Sequence, residues 1–210
     1  MAATPTQTSR NSLATDGMTP DEVRAVVKNQ AGIAVTFMLL TGVVVWMSPD
    51  MPLRHDDVIS RLVFTLRCLT PVAGLCFYFI LKCACYRFAI DPKKLCTDPA
   101  RAVMPYVLEV NNRVLRSTVE MSVIHTILQL ILCTYLDGAV CPKIIVLFSI
   151  WFVCGRVAFF VGYRNKTDPL QRGYGFSINL LTMFVQLALT ILLTMWYGPL
   201  SGIRLSEHGH

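Results

Sequence analysis

Residues 109–136 read EVNNRVLRSTVEMSVIHTILQLILCTYL, and this stretch decides the fold because charged and apolar residues follow one another with nothing between them that breaks a helix. One face of the predicted helix carries four polar residues at spacings i, i+3, i+4 and i+7: Arg113, Arg116, Ser117 and Glu120. A carboxylate that enters an apolar helix is costly unless it has a partner. The stretch therefore predicts a membrane helix whose charged face needs partners elsewhere in the chain.

The composition of the whole chain indicates a membrane protein. Of the 210 residues, 54% are hydrophobic and 15% are charged, whereas soluble domains contain about 25% charged residues. The apolar residues concentrate in runs near 31–47, 61–81, 104–136, 143–163 and 175–197. We therefore predict an all-α membrane protein with five transmembrane helices. The net charge of +6 comes from basic residues beside these runs, which indicates a lipid bilayer as partner and no nucleic acid.

Four segments organise the chain. Residues 1–28 form a disordered and then amphipathic N-terminal tail, in which Thr19 and Pro20 predict the start of a helix. Residues 29–48 form a first transmembrane helix, 60–198 a four-helix membrane domain, and 199–210 a polar C-terminal tail. Pro71 predicts a kink in the second span.

The distribution of basic residues predicts the orientation in the membrane. Most lysines and arginines fall in the N-terminal segment and in the connections 82–104 and 164–174, which share one side of a five-span protein. The positive-inside rule places that side, with the N-terminus, in the cytoplasm and the C-terminus outside or in a lumen. The glycosylation sequon at Asn165 then faces the cytoplasm and stays unmodified.

Several charges meet at one depth on this topology. Arg156 of the fourth span and Arg172 of the next connection lie level with the charged face of the third span. Their excess positive charge suits an anionic ligand, because arginine binds carboxylates in a bidentate manner. The alternative is a buried Arg156–Glu120 pair that only sets the helix register.

Two polar stripes run deeper into the predicted bundle. They consist of Thr118, Ser122, His125, Gln129 and Cys133 on the third span, and of Asn179, Thr182, Gln186, Thr190 and Thr194 on the fifth. Such stripes favour hydrogen bonds between helices. The alternative is a substrate or proton path through His125.

The eight cysteines lie mostly within apolar runs and show no zinc-site spacing. We therefore expect no disulfide framework and no structural metal. Cys83 and Cys85, beside Lys82 and Arg87 at a predicted helix end, are candidates for palmitoylation.

Two segments together resemble the MAPEG superfamily (membrane-associated proteins in eicosanoid and glutathione metabolism). Residues 113–120, RVLRSTVE, are similar to its R-x-L-x-N-T-x-E motif. Residues 156–163, RVAFFVGY, followed by RGYGF at 172–176, are similar to its R-x-x-Y-x-x-G-Y and R-x-x-G-F segment. The resemblance covers roughly residues 60–197 and implies that the last four spans form a MAPEG-like four-helix bundle.

The resemblance also implies a homotrimer that binds glutathione between adjacent subunits. The residues that keep the family pattern are Arg113, Glu120, Arg156, Tyr163 and Arg172. Of these, Arg172 is implied as the catalytic arginine that favours the glutathione thiolate. Ser117 replaces the family's asparagine and Phe159 its tyrosine, so two positions implied to bind glutathione have lost hydrogen-bonding groups.

The extra first span and these replacements resemble the mattrin-like branch of the family. That branch implies a non-catalytic or weakly active membrane regulator or scaffold in the endomembrane system (ER, Golgi or lysosome), with other membrane proteins as partners. The alternative is a glutathione-dependent transferase or peroxidase that acts on lipophilic electrophiles. A small transporter is a third hypothesis, although the chain lacks an internal repeat.

Overall fold

In the computed structural model of the chain, the described residues are 19–49, 57–89, 106–164 and 172–198. They form six α-helices: α1 (Pro20–Met47), α2 (Val58–Cys68), α3 (Thr70–Ala89), α4 (Tyr106–Tyr135), α5 (Cys141–Arg164) and α6 (Arg172–Tyr197). Since α2 and α3 run on as one stretch, Val58–Ala89, these residues contain five helical stretches that are long and apolar enough to cross a membrane. The prediction of an all-helical, five-span protein is therefore confirmed.

The first helix begins where the sequence predicts. Thr19 Oγ1 accepts a hydrogen bond from the backbone N–H of Glu22, and the Glu22 carboxylate accepts one from the backbone N–H of Thr19. This reciprocal pair satisfies two backbone donors that a helix start leaves open. From there α1 continues without a break to Met47, so the predicted boundary between tail and span at residue 28 lies inside one helix.

The second span is interrupted near its proline. α2 ends at Cys68, Leu69 lies between the helices, and α3 begins one residue before Pro71. Proline lacks the N–H that would continue the hydrogen-bond ladder, and its ring collides with the preceding turn. The helix is therefore irregular at the predicted position, with a one-residue interruption at Leu69 inside a span that otherwise continues from Val58 to Ala89.

Contacts at both ends show how the antiparallel spans line up. At one end Lys82 lies over the ring of Phe160, with the Lys82 Nζ atom 5.7 Å from the ring centroid. The helices α3 and α5 end here, and α1, α4 and α6 begin here. We call it the basic end, because the last turns of α3 and α5 carry Arg87 and Arg164. At the opposite end Arg61 donates to the carbonyl of Leu136, and Lys143 Nζ donates to the carbonyl of Trp46 at 3.2 Å.

The helix α5 lies at the centre of the bundle and packs most closely against α6. A Cβ atom on Gly175 would lie 2.5 Å from the carbonyl oxygen of Gly155 and from the Cα atom of Phe159. A Cβ atom on Gly155 would lie 2.5 Å from Nδ2 of Asn179. The two helix backbones can approach this closely only because both positions lack a side chain, as is common where membrane helices pack.

Gly175→Ala should destabilise the protein by about 1–3 kcal/mol, because its methyl group would overlap backbone atoms of α5 that cannot move independently. The matched control is Gly74→Ala in α3, where a Cβ atom meets nothing within 4 Å. That change should leave stability unchanged or slightly raised, since alanine is the better helix former. Thermal unfolding in detergent measures both variants, and equal melting temperatures would contradict the assignment of Gly175 to a close helix contact.

Candidate functional site

The centre of the site is Arg156, which α5 directs into the bundle rather than toward its surface. The side chain is 1% exposed. Its Nη1 donates a hydrogen bond to Oγ of Ser117 on α4 at 3.2 Å. Among the residues that the structure describes, Nε and Nη2 of Arg156 find no hydrogen-bond partner. A buried cation with open donors is costly unless an anion or acceptor completes it.

Two aromatic rings flank the guanidinium. The Arg156 Cζ atom lies 5.6 Å from the ring centroid of Phe152 and 5.4 Å from that of Phe159. These rings come from the same helix, because positions i−4 and i+3 share a face with position i. Ring faces attract a cation but accept no hydrogen bond in the plane of the guanidinium. The rings therefore help to hold the charge of Arg156 in the bundle while leaving its donors available to a ligand.

A further polar group on α6 lies against the neighbouring turn of α5. The amide of Asn179 packs on Gly155, and its Nδ2 donates to the carbonyl of Gly175 at 2.8 Å. Its buried Oδ1 has no hydrogen-bond partner within the described ranges. The interior thus holds open hydrogen-bonding groups on both α5 and α6.

The charged face of α4 does not converge on Arg156, contrary to the prediction. Arg116 and Glu120 pair with each other at 3.0 Å, and Glu120 is 62% exposed. Arg113 pairs in the same way with Glu109, one turn back, at 3.2 Å. The alternative of a buried Arg156–Glu120 pair is wrong, because Glu120 faces outward while Arg156 faces inward. Of the four residues on this face, Ser117 at the edge of the interior is the one that bonds to Arg156.

The remaining two candidates lie toward the basic end. The half-buried Tyr163 packs edge-on against Phe159, with ring centroids 5.0 Å apart. Tyr163 is thus next to the ring that covers Arg156. The backbone of Arg172 begins α6, but the Arg172 side chain lies outside the described residues, so the structure does not report on its implied catalytic role.

The two polar stripes meet inside the bundle. The α5 residue that bonds to them, Ser149, lies two turns before Arg156. Nδ1 of His125 lies 3.0 Å from Oε1 of Gln186, and Nε2 of His125 lies 3.2 Å from Nε2 of Gln129. Because one partner offers an oxygen and the other an amide N–H, the histidine donates through Nδ1 and accepts through Nε2. Gln129 donates further to Oγ of Ser149 at 3.2 Å. The prediction that these stripes form hydrogen bonds between helices is confirmed.

The cysteines differ in accessibility. Cys83 is buried, whereas Cys85, two residues on, is exposed at the basic end. Enzymatic acylation needs an accessible thiol, so palmitoylation stays a proposal for Cys85 alone. Among the described residues no group of three or more His, Cys, Asp or Glu side chains is placed to hold a metal ion.

Some residues that shape the site carry no signal in the motifs. Phe152 falls outside the two matched segments, and its role follows only from its position one turn before Arg156. Gly155 also lies outside them, just before the second segment, and its role follows only from the α5–α6 contact. Gly175 is the glycine of the R-x-x-G-F segment, but the motif does not show that it packs against α5. A small residue at each of two predicted packing faces was the available sequence signal for that contact.

Comparison with known proteins gives one positive result. The family profile described as the MAPEG family matches residues 59–193, a segment that contains α2 to α6 almost entirely and leaves out α1. A search of curated proteins finds no match.

Gln186→Leu should destabilise the bundle by about 1–3 kcal/mol, because it leaves the N–H of the buried His125 without its acceptor. The double variant His125→Leu/Gln186→Leu should lose less than the sum of the two single variants, since neither partner is then left alone. Thermal unfolding in detergent gives the stability of the unaltered protein, the two single variants and the double variant. Strictly additive losses would show that the two side chains do not stabilise each other.

Proposed function

Since the chain belongs to the MAPEG family, we propose that it binds an anionic, glutathione-like ligand at Arg156 and acts as a non-catalytic or weakly active membrane regulator. The observation that carries the proposal is the guanidinium of Arg156, 1% exposed and with two of its nitrogens unpaired among the described residues. A carboxylate could accept hydrogen bonds from both nitrogens at once. Such a ligand would also supply the counter-charge that no described carboxylate provides to Arg156.

The two replaced positions support weak or absent catalysis. The hydroxyl of Ser117 is already engaged with Arg156, and it lacks the second polar group of an asparagine. Phe159 lies over the guanidinium without a hydroxyl. A polar ligand therefore meets fewer hydrogen-bonding groups here than the family motif would offer. The site is then less selective for such a ligand.

The second candidate function is a glutathione-dependent transferase or peroxidase. A groove of about 580 Å³ on the outer side of α5 favours it, because lipophilic molecules could enter the groove from the bilayer. The groove is lined by Val153, Cys154, Val157, Ala158, Val161, Gly162 and Tyr174. Arg156 faces the interior, so a thiolate held there would have to reach this groove past α5, and for this reason we place catalysis second.

We further propose a homotrimer of the mattrin-like type in an endomembrane, with the basic end and the N-terminus cytoplasmic. The outward Arg116–Glu120 pair supports assembly. Glu120 lies about 24 Å along α4 from Leu136, at 1.5 Å per residue, and so within the ~30 Å hydrocarbon core measured from that end. An ion pair at this depth is more favourable against another polypeptide than against lipid. The basic residues near the helix ends support the orientation.

Arg156→Met should weaken binding of glutathione to the purified protein about 10- to 100-fold, because a charged hydrogen bond contributes about 1.5–3 kcal/mol. The melting temperature of the ligand-free protein should stay unchanged or rise, since the change removes a buried, incompletely paired charge. Arg164→Met, at the exposed end of the same helix, is the matched control and should bind normally. Titration calorimetry in nanodiscs measures affinity. Normal binding by Arg156→Met, or a marked loss of its stability, would show that Arg156 is structural.

Restoring the family's residues in the double variant Ser117→Asn/Phe159→Tyr should raise glutathione affinity about tenfold, the effect of about 1.4 kcal/mol. A non-catalytic protein shows no thiolate absorbance on binding and no turnover with a lipophilic electrophile. Thiolate formation together with efficient turnover of a lipophilic electrophile or peroxide by the unaltered protein, both abolished in Arg172→Ala, would instead establish the transferase or peroxidase function. If the double variant binds no better than the unaltered protein, the two replacements do not limit the site.

A further inference from the structure

The first helix lies outside the segment that matches the family, yet it contacts α5 and α6 at several points between Gln30 and Trp46. Nε1 of Trp151 donates to Oγ1 of Thr41 at 2.7 Å. Met38 and Ala34, one and two turns earlier, are buried. A helix that only crossed the bilayer beside the bundle would need neither a side-chain hydrogen bond to the bundle nor a small buried residue facing it. The contact of α1 with α5 and α6 is therefore a built interface.

At the basic end this interface reaches the first turn of α6. Gln30 is 4% exposed, and its amide occupies the space beside Gly173. A Cβ atom on Gly173 would lie 2.7 Å from Cδ and 2.9 Å from Nε2 of Gln30. The glutamine side chain can take this position only because residue 173 has no side chain.

The same turn is held from its other side. Gly175, two residues on and so on nearly the opposite side of the helix, packs against the backbone of Phe159 and the carbonyl of Gly155. These two residues flank Arg156 in α5. The first turn of α6 is thus clamped between the amide of Gln30 and the segment of α5 that carries the buried guanidinium.

We propose that Gln30 is a positioning residue, through which α1 sets the place of the first turn of α6 against Phe159 and thereby tunes the anion site at Arg156. The inference rests on the proposed function for its ligand. The backbone of α5 is fixed where Gly175 of α6 packs against it. A larger or smaller side chain in the space beside Gly173 therefore moves the first turn of α6 and not α5. That movement changes the packing around Phe159, whose ring covers the guanidinium. The extra helix is then a component of the site and not only an anchor.

The test compares Gln30→Ala, Gly173→Ala and the double variant in the full-length protein, with Asn29→Ala as the exposed neighbouring control. Each single change should weaken glutathione binding about tenfold. Gln30→Ala leaves a space, and Gly173→Ala displaces the amide. In the double variant the new methyl group enters the space that the amide leaves, so affinity should return toward that of the unaltered protein. Additive losses, or lowered melting temperatures with unchanged affinities, would overturn the proposal.

Hydrogen exchange separates this inference from the proposed function. Gln30→Ala should speed exchange of the backbone amides 174–176, and the turn at 137–140 at the opposite end should be unaffected. If the unaltered protein binds no glutathione, the proposed function fails, and exchange alone decides whether Gln30 positions α6. Unchanged exchange at 174–176 would overturn the positioning role whether or not glutathione binds.

Discussion

The close approach of α5 and α6 at Gly155 and Gly175 is the constraint on which the site depends. Without side chains at these points the two backbones nearly touch, and α5 becomes the centre of the bundle. Its inward face then presents Arg156 to Ser117 of α4, while Asn179 of α6 packs beside it. In a bilayer no hydrophobic effect drives helices together, so packing and hydrogen bonds of this kind must do so.

Two ways of handling buried polar groups exist side by side in the bundle. The stripe through His125 engages both ring nitrogens with amides from its own helix and from α6, so it holds helices together. Among the described residues, Arg156 has one hydrogen bond and two flanking rings, and its Nε and Nη2 donors stay open. Membrane interiors penalise unsatisfied groups strongly. The two clusters differ in charge rather than in completeness, because Oε1 of Gln129 in the His125 cluster also lacks a hydrogen-bond partner among the described residues. Arg156 instead carries a buried positive charge that no described carboxylate neutralises, and this charge marks it as a candidate binding site.

The sequence predicted most of the fold, because hydrophobic runs, the Thr19 helix start and the proline at 71 report local physical preferences. It also predicted that the polar stripes on the third and fifth spans would form hydrogen bonds between helices, as His125 and Gln186 do. It did not predict which way the charged residues point. Arg113, Arg116 and Glu120 were expected to meet Arg156, and instead they pair along the outer side of α4. Helical spacing shows which residues share a face, whereas only packing shows what that face meets.

The amino-acid sequence by itself thus determined the number of spans, their approximate positions in the chain and the residues that share each helix face, since these follow from hydropathy and the helical repeat. It did not determine every span end, because the second span continues to Ala89, eight residues beyond the predicted run. The tertiary structure alone decided that Ser117 rather than Glu120 meets Arg156, and that Gln30 of the extra helix fills the space beside Gly173. Both contacts join residues far apart in the chain. Which residues meet depends on the rotation of each helix and on the distance between helices. Glycines on α5 and α6 determine that distance.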